Sequence, residues 1–562
     1  MEAIWQTDVY SRQGEEALKR EWSVLSSCCV ILTLALIAGM PTIRHDNYFL
    51  GDDFGLVQHL HQLTLERFLS YFVSDWTEGI YGFKLDELRP LLAITYWFDA
   101  RVFGATNAQG YHATNVVLHM LNGLLVFAIA RSVAPGRKGV ALLAGALFVL
   151  MPSHAEPVSW ISGRVDSLAA LFYLGAFLCF VRFRLEQRPS WLVAALFIFA
   201  GGLFAKQSLI TFPILVLAYD AVYAPSLRGP IRGLISRFAH HVPFFVLLAM
   251  YLGLREILFG NAVREDVLTP GLFKQFFYRQ YFYATNLMPI ANSFPFSIKA
   301  VLAAFTAAVF AFGGWWVLVQ PKRDWPAVQR LIFFGAIWYA ITIAPMIVTY
   351  ASARHLYLTC AGWSIAVASL ILPEGLRPGR KAARVAVVVA LVALYATAMK
   401  ANVRVWVENG LASQKFAIAL PRMLQLLPQG GVVFVSVPKS SQDAWLWAWA
   451  LPFALQKPFL TENLYEQFAI VEVPEVYCCP SKQWWAEKRL ALSPILSSPE
   501  PHHMSVIRAA SHDNGTLTLT NKSVRGDELR RKIEHAIGKP VEQLSSTITD
   551  AEALVLSRIL FE

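Results

Sequence analysis

Long apolar runs separated by short polar breaks dominate this chain. About eleven of them approach the roughly 20 residues that cross a bilayer. They lie near 23–41, 111–131, 138–153, 166–183, 190–206, 207–223, 238–257, 299–319, 329–349, 354–372 and 383–401. The fifth and sixth are short, with only a tight polar break at Lys206 and Gln207 between them. Basic clusters occupy every second loop: Arg131, Arg137 and Lys138; Arg182, Arg184 and Arg188; Arg228, Arg232 and Arg237; Lys322, Arg323 and Arg330; Arg377, Arg380, Lys381 and Arg384. The tail before the first run adds Arg12, Lys19 and Arg20. The positive-inside rule makes these loops cytoplasmic. The alternate loops, including 42–110, 153–165, 258–298 and everything after Lys400, then face the other side.

Two stretches of the first outer loop have helical periodicity without the length or apolarity to span. One carries Phe54, Val57, Leu60, Leu65, Phe68, Leu69 and Phe72, and the other runs from Pro90 to Phe103. Both are read as helices lying in the interface plane. A third outer loop, FKQFFYRQYFYATNLMP, is rich in aromatics. After Lys400 the pattern changes again. The run GVVFVSV reads as a buried strand between helical stretches, and DELRRKIEHAIGK and DAEALVLSRILFE read as helices. The expected fold is therefore a polytopic α-helical membrane protein with a C-terminal soluble α/β domain. Its expected divisions are a cytoplasmic tail over 1–22, a transmembrane domain over 23–401 with the outer loop 42–110, and an extracytoplasmic domain over 402–562.

Composition agrees. The 562 residues are 56% hydrophobic and only 16% charged, with a mean hydropathy of +0.44; soluble domains carry about 25% charged residues. The net charge of +10 is dispersed in clusters between apolar runs, which excludes a nucleic-acid partner. The cysteines Cys28, Cys29, Cys179, Cys360, Cys478 and Cys479 show no zinc spacing. The first run follows Lys19 and Arg20 without a small-residue cleavage site and reads as a signal anchor.

Polar residues recur at the outer ends of the spans. GDDFG holds Asp52 and Asp53, and LRPL holds Arg89. GYHATNVVLH puts His112, Asn115 and His119 on one helix face. PSHAEPVSWISGRVD supplies His154, Glu156, Arg164 and Asp166; the fourth cluster is Lys206-Gln207 with Arg354, His355 and Tyr357. Ionisable residues of both signs gathered on one side of a membrane bundle point to a lined cavity. Arg164, Lys206 and Arg354 are cations suited to a phosphate or diphosphate, and Asp52 or Asp53 is suited to deprotonating a hydroxyl. The plainer alternative for the aspartates is a solvated loop start, with Asp53 capping a helix that begins at Phe54. A metal held by Asp53, His154 and Glu156 is an alternative for the polar cluster.

Five motifs in order carry a family likeness: GDDFG; RPLLAITYWFDARVFGATNAQGYHATNVVLH; PSHAEPVSWISGRVDSLAALFYL; AKQSLITFPILVLAYD; and SARHLYLTCAGW. Over roughly residues 45–370 the chain resembles the GT-C superfamily of polytopic glycosyltransferases. It looks most like the membrane portion of the transmembrane and tetratricopeptide-repeat O-mannosyltransferases and their bacterial relatives. The resemblance implies an inverting transfer of a monosaccharide from a polyprenyl-phosphate donor on the non-cytoplasmic face, and it puts the catalytic carboxylate at Asp52 or Asp53. The family's Lys-Glu element is Lys206-Gln207 here, and no repeat array is present in the sequence. The expected partners are the lipid-linked donor, a lipid, glycan or protein acceptor, and membrane lipids. No cofactor is expected, a divalent metal being the alternative. The expected location is a bacterial inner membrane, with the N-terminus cytoplasmic and the C-terminal domain periplasmic. Rival readings are a transporter or flippase of a lipid-linked sugar, which would use a midplane site between repeats, and a catalytically silent scaffold.

Overall fold

The computed structural model describes residues 23–77, 80, 85–223, 238–262, 272–288, 297, 300, 304, 327–346, 350–372, 381–438, 440–441, 444–447, 450–472, 504–511 and 517–540. The tail expected to be cytoplasmic, most of the span expected at 299–319, the basic residues at 228–237 and 322–323, the pair Cys478 and Cys479, and the last expected helix lie outside the described residues.

The helices are α1 (Ser23–Ile43), α2 (Asp52–Leu60), α3 (Leu65–Ser70), α4 (Pro90–Phe103), α5 (Ala108–Val133), α6 (Lys138–Val149), α7 (Ala155–Ser159) and α8 (Arg164–Glu186). They continue with α9 (Pro189–Leu203), α10 (Phe212–Tyr223), α11 (Val242–Phe259), α12 (Leu272–Asn286), α13 (Ala327–Ile343), α14 (Thr359–Ile371), α15 (Lys381–Gln425), α16 (Leu451–Ala454) and α17 (Gly526–Ile537). Among the described residues, six helices are long and apolar enough to cross a membrane, or seven if the bent pair Lys138–Val149 and Pro152–Ser159 is one span. The runs expected near 190–206, 207–223 and 354–372 appear as shorter apolar helices, Pro189–Leu203, Gln207–Tyr223 and Thr359–Ile371.

The chain divides into two compact units. The first takes Met1–Pro41, Thr114–Ser159 and Gly163–Val403. Its core is aromatic: Phe177 packs edge-on against Trp338 at 4.9 Å, with Phe334 and Tyr219 around them. Helices α13 and α14 approach through Gly335 and Gly362. A Cβ on Gly335 would lie 2.5 Å from the Gly362 carbonyl, so only glycine permits this contact.

The second unit takes Thr42–Ala113, Trp160–Ser162 and Arg404–Glu562. It joins the first outer loop to the C-terminal residues through one core. Phe54 packs against Phe459 at 4.9 Å and Trp447 at 5.4 Å, and Phe49 against Phe459 at 5.4 Å. Strands β1 (Val432–Ser436), β4 (Ala469–Glu472), β5 (Met504–Ser511) and β6 (Leu517–Val524) form a sheet in the order β4-β1-β5-β6, and β2 (Ser440–Ser441) pairs with β3 (Ala444–Trp445). β1 is parallel to both neighbours, with Val432 opposite Ala469 and Met504, while β5 and β6 are antiparallel. All five β1 residues are buried, as expected for a central parallel strand covered on both faces.

The composition break near Lys400 is not an element boundary. Helix α15 continues to Gln425 through Pro421. Ala412, Phe416, Leu420 and Leu424 are buried at intervals of four, so the helical stripe persists after the membrane-like composition ends.

Candidate functional site

In the second unit, the site forms at the start of α2. Gly51 precedes the two aspartates with φ 50° and ψ −115°, a conformation that favours glycine. Its N–H donates to the Leu446 carbonyl at 2.9 Å. The helix begins at Asp52, and Gly51 occupies the cap position with no side-chain capping bond. The expectation that Asp53 caps a helix starting at Phe54 is therefore corrected. The Asp53 carboxylate is fully buried. Its Oδ2 accepts from the Leu50 N–H at 2.9 Å, and its Oδ1 accepts from the Ser162 N–H at 2.8 Å and from the Ser162 hydroxyl. Trp160 Nε1 donates to the Leu50 carbonyl at 3.2 Å, so the 160–162 segment grips both sides of this turn. Burial pushes the Asp53 carboxyl up to about 7, against the pull of its three donors. Asp52, one residue earlier, is half-buried in the first turn of the helix.

Arg89 and His112 belong to the same unit. Arg89 pairs with Glu87 at 2.7 Å, and Glu87 also accepts from Trp76 Nε1 at 3.2 Å. His112 is fully buried on α5.

The first unit holds a separate cluster. Lys206 Nζ bonds Asp166 Oδ1, and Arg354 Nε lies 3.7 Å from Glu156 Oε1 and 3.8 Å from Asp166 Oδ2. Arg354 also donates to the Tyr350 hydroxyl, and Ser352 Oγ donates to Glu156 Oε2 at 2.9 Å. Among the described residues, these ion pairs join two cations and two carboxylates. Gln207 opens the short 3-10 turn that follows Lys206.

Two bonded contacts frame the turn that carries Arg354. On one side Tyr283 on α12 meets His355 Nδ1 at 3.0 Å. On the other side the Tyr357 hydroxyl lies 2.8 Å from His119 Nδ1 and accepts from Asn122 Nδ2 at 3.2 Å. His119 Nε2 faces the Val149 carbonyl at 3.0 Å, which fixes the proton on Nε2 and leaves Nδ1 to accept from Tyr357.

Sequence neighbours part company here. His154 packs into the aromatic cluster, 4.2 Å from the Tyr357 ring and 4.6 Å from Phe148, while Glu156 faces Ser352 and Arg354. The His-x-Glu spacing does not present one paired face. Among the described residues, no three His, Cys, Asp or Glu side chains gather as a metal-ligand group. Arg164 is also set apart: it is fully buried and donates from Nε to Asn115 Oδ1 at 2.9 Å. Ser162, Ser352 and Tyr350 complete the two clusters, and nothing in the sequence singles them out. Their partners lie 109 residues away for Ser162 and 196 for Ser352.

Apolar spans together with these charged clusters define an integral membrane protein with ionisable groups held inside its folded units. Residues 89–251 match the family of dolichyl-phosphate-mannose-protein mannosyltransferases. The matched span includes the polar residues from Arg89 to Gln207, and lies between GDDFG and SARHLYL. Among relatives, the protein O-mannosyl-transferase Tmtc1 of Drosophila melanogaster is 36% identical over 156 residues, 26% of this chain and 18% of that protein. Human TMTC4 is 28% identical over 246 residues, 39% of this chain and 31% of that protein. The chain thus spans less than a third of the length of these relatives. The crystal structure of ArnT from Cupriavidus metallidurans bound to undecaprenyl phosphate is similar at 14% identity, covering 88% of this chain and 97% of that one, with a TM-score of 0.47. The family match and the relatives bear out the resemblance to GT-C membrane glycosyltransferases, of the O-mannosyltransferase-like kind.

Proposed function

We propose that this protein is a GT-C-type glycosyltransferase that moves a monosaccharide from a polyprenyl-phosphate donor to an acceptor hydroxyl on the non-cytoplasmic side of the membrane. The observation that carries this reading is the division of labour within GDDFG. Asp53 is buried and its carboxylate is engaged by three donors, whereas its neighbour Asp52 is half-buried at the first position of the helix. Asp52 is then the base and Asp53 the group that positions it.

In the transfer step, the acceptor O–H proton passes to the Asp52 carboxylate as the acceptor oxygen bonds the sugar's anomeric carbon. The bond from that carbon to the phosphate oxygen breaks on the opposite face, its electron pair leaves with the lipid phosphate, and configuration inverts. Lys206 and Arg354 stabilise the phosphate charge, their side chains being 12% and 16% exposed where Arg164 is sealed. With two cations to take the leaving-group charge, the step requires no cofactor. The acceptor is a lipid, glycan or protein, and the membrane is a bacterial inner membrane with the acceptor side periplasmic.

The test is transfer of label from a panel of polyprenyl-phosphate monosaccharides by purified protein in nanodiscs, with membrane lipid extract and peptide acceptors. Product formed by wild type and lost in Asp52→Asn supports the assignment. Donor that is bound or moved between leaflets, equally in both proteins and with no product, replaces it with a transporter.

A further inference from the structure

Building on the placement of the donor phosphate at Lys206 and Arg354 proposed above, we infer that Glu156 and Asp166 are its placeholders. The lipid phosphate enters by displacing these carboxylates from the two cations, and after transfer their return expels the polyprenyl phosphate.

Four observations carry this inference. Among the described residues, the ion pairs of the cluster join two cations to two carboxylates, so neither pair sits buried without compensation. Arg354 Nε lies between the two carboxylates, at 3.7 Å from Glu156 and 3.8 Å from Asp166, longer than the roughly 2.7–2.9 Å of a close charge-assisted hydrogen bond to either. Asp166 Oδ2 is buried and accepts no hydrogen bond among the described residues. Finally, the neutral Ser352 hydroxyl holds the far oxygen of Glu156 at 2.9 Å, a bond that survives if Arg354 turns to another anion. The four charged side chains are 8–16% exposed, which leaves an edge for a phosphate to approach. Because a phosphate and the carboxylates compete for the same two cations, removing a carboxylate charge strengthens phosphate binding and slows product release.

The experiment measures binding of polyprenyl phosphate to the full-length protein in nanodiscs, alongside steady-state transfer. Glu156→Gln keeps an oxygen for Ser352 while removing the charge, and binds polyprenyl phosphate about tenfold more tightly, as expected for losing one like charge a few ångströms from the ligand. Its KM for the donor falls and its kcat falls with it. Asp166→Asn shifts in the same direction and serves if Glu156→Gln cannot be purified. Lys206→Met weakens binding. Inorganic phosphate that competes, and gains in the same carboxylate variants, assigns the effect to the phosphate group; an equal gain for phosphate-free polyprenol overturns the inference. Unchanged or weaker binding in both carboxylate variants, with Lys206→Met still weakening it, overturns the exchange but leaves the donor site standing. Binding indifferent to Lys206→Met as well removes the donor site and the exchange together.

Discussion

Two groups of buried carboxylates in this molecule are satisfied in opposite ways. In the second unit, Asp53 among the described residues meets only neutral donors: two backbone N–H groups and a serine hydroxyl. In the first, Glu156 and Asp166 meet Lys206 and Arg354. Backbone donors cannot leave, so Asp53 is committed to holding the GDDFG turn against the 160–162 segment. Side-chain cations can exchange one anion for another, so the first cluster suits a ligand that comes and goes. Burial of a carboxylate therefore says little about its task until its partners are identified.

The sharpest way to break this comparison is to neutralise the adjacent aspartates one at a time. Asp52→Asn is expected to lower transfer by about 10²–10⁴-fold, the range for a general base. Its melting temperature should be close to wild type, and equal activity would remove Asp52 as the base. Asp53→Leu should act on stability first. It leaves three buried donors without an acceptor, at about 1–3 kcal/mol each, so a variant that melts with the wild type would show that the three bonds hold nothing.

Stability should also depend on pH through Asp53. Its native value of about 7 lies above the reference 3.8, so between these limits the folded protein holds a proton that the unfolded chain has lost. Stability then falls as pH rises from about 4 to about 7, by up to roughly 1.4 kcal/mol per unit, and levels off above. Asp53→Asn abolishes this slope. Melting curves of both proteins across that range, in one detergent, measure it.

The smallest effect expected is that of Tyr357→Phe. It removes the hydroxyl that donates to His119 Nδ1, at about 1–3 kcal/mol, and loosens one side of the turn bearing Arg354. The KM for the donor should rise with little change in the rate at saturation. A fall in rate alone would place Tyr357 outside the positioning of Arg354.

Much of this was legible in the sequence. Span-length apolar runs need no partner to be recognised, and the six long apolar helices fall on them. The strand in GVVFVSV was legible because a short valine-rich run suits a strand buried on both faces. The roles of adjacent polar residues were not. His154 and Glu156 look like a pair at two-residue spacing, yet the turn sends one among aromatic rings and the other to Ser352 and Arg354. Arg164 and Lys206 look alike as cations, yet one is sealed against Asn115 and the other pairs with Asp166 at a partly open edge. The drop in hydropathy after Lys400 looked like a boundary, because composition registers the surroundings of a helix and not its hydrogen bonds, which continue to Gln425.

The sequence by itself determined that the chain enters a membrane repeatedly, where its charges gather, and that two adjacent acids sit in GDDFG after the first apolar run. These follow from local chemistry: apolar length and charge placement. Only the tertiary structure decided which acid meets fixed neutral donors and which meet side-chain cations. That depends on partners such as Ser162 and Ser352, brought from more than a hundred residues away, and on whether each partner is a fixed neutral donor or a mobile cation.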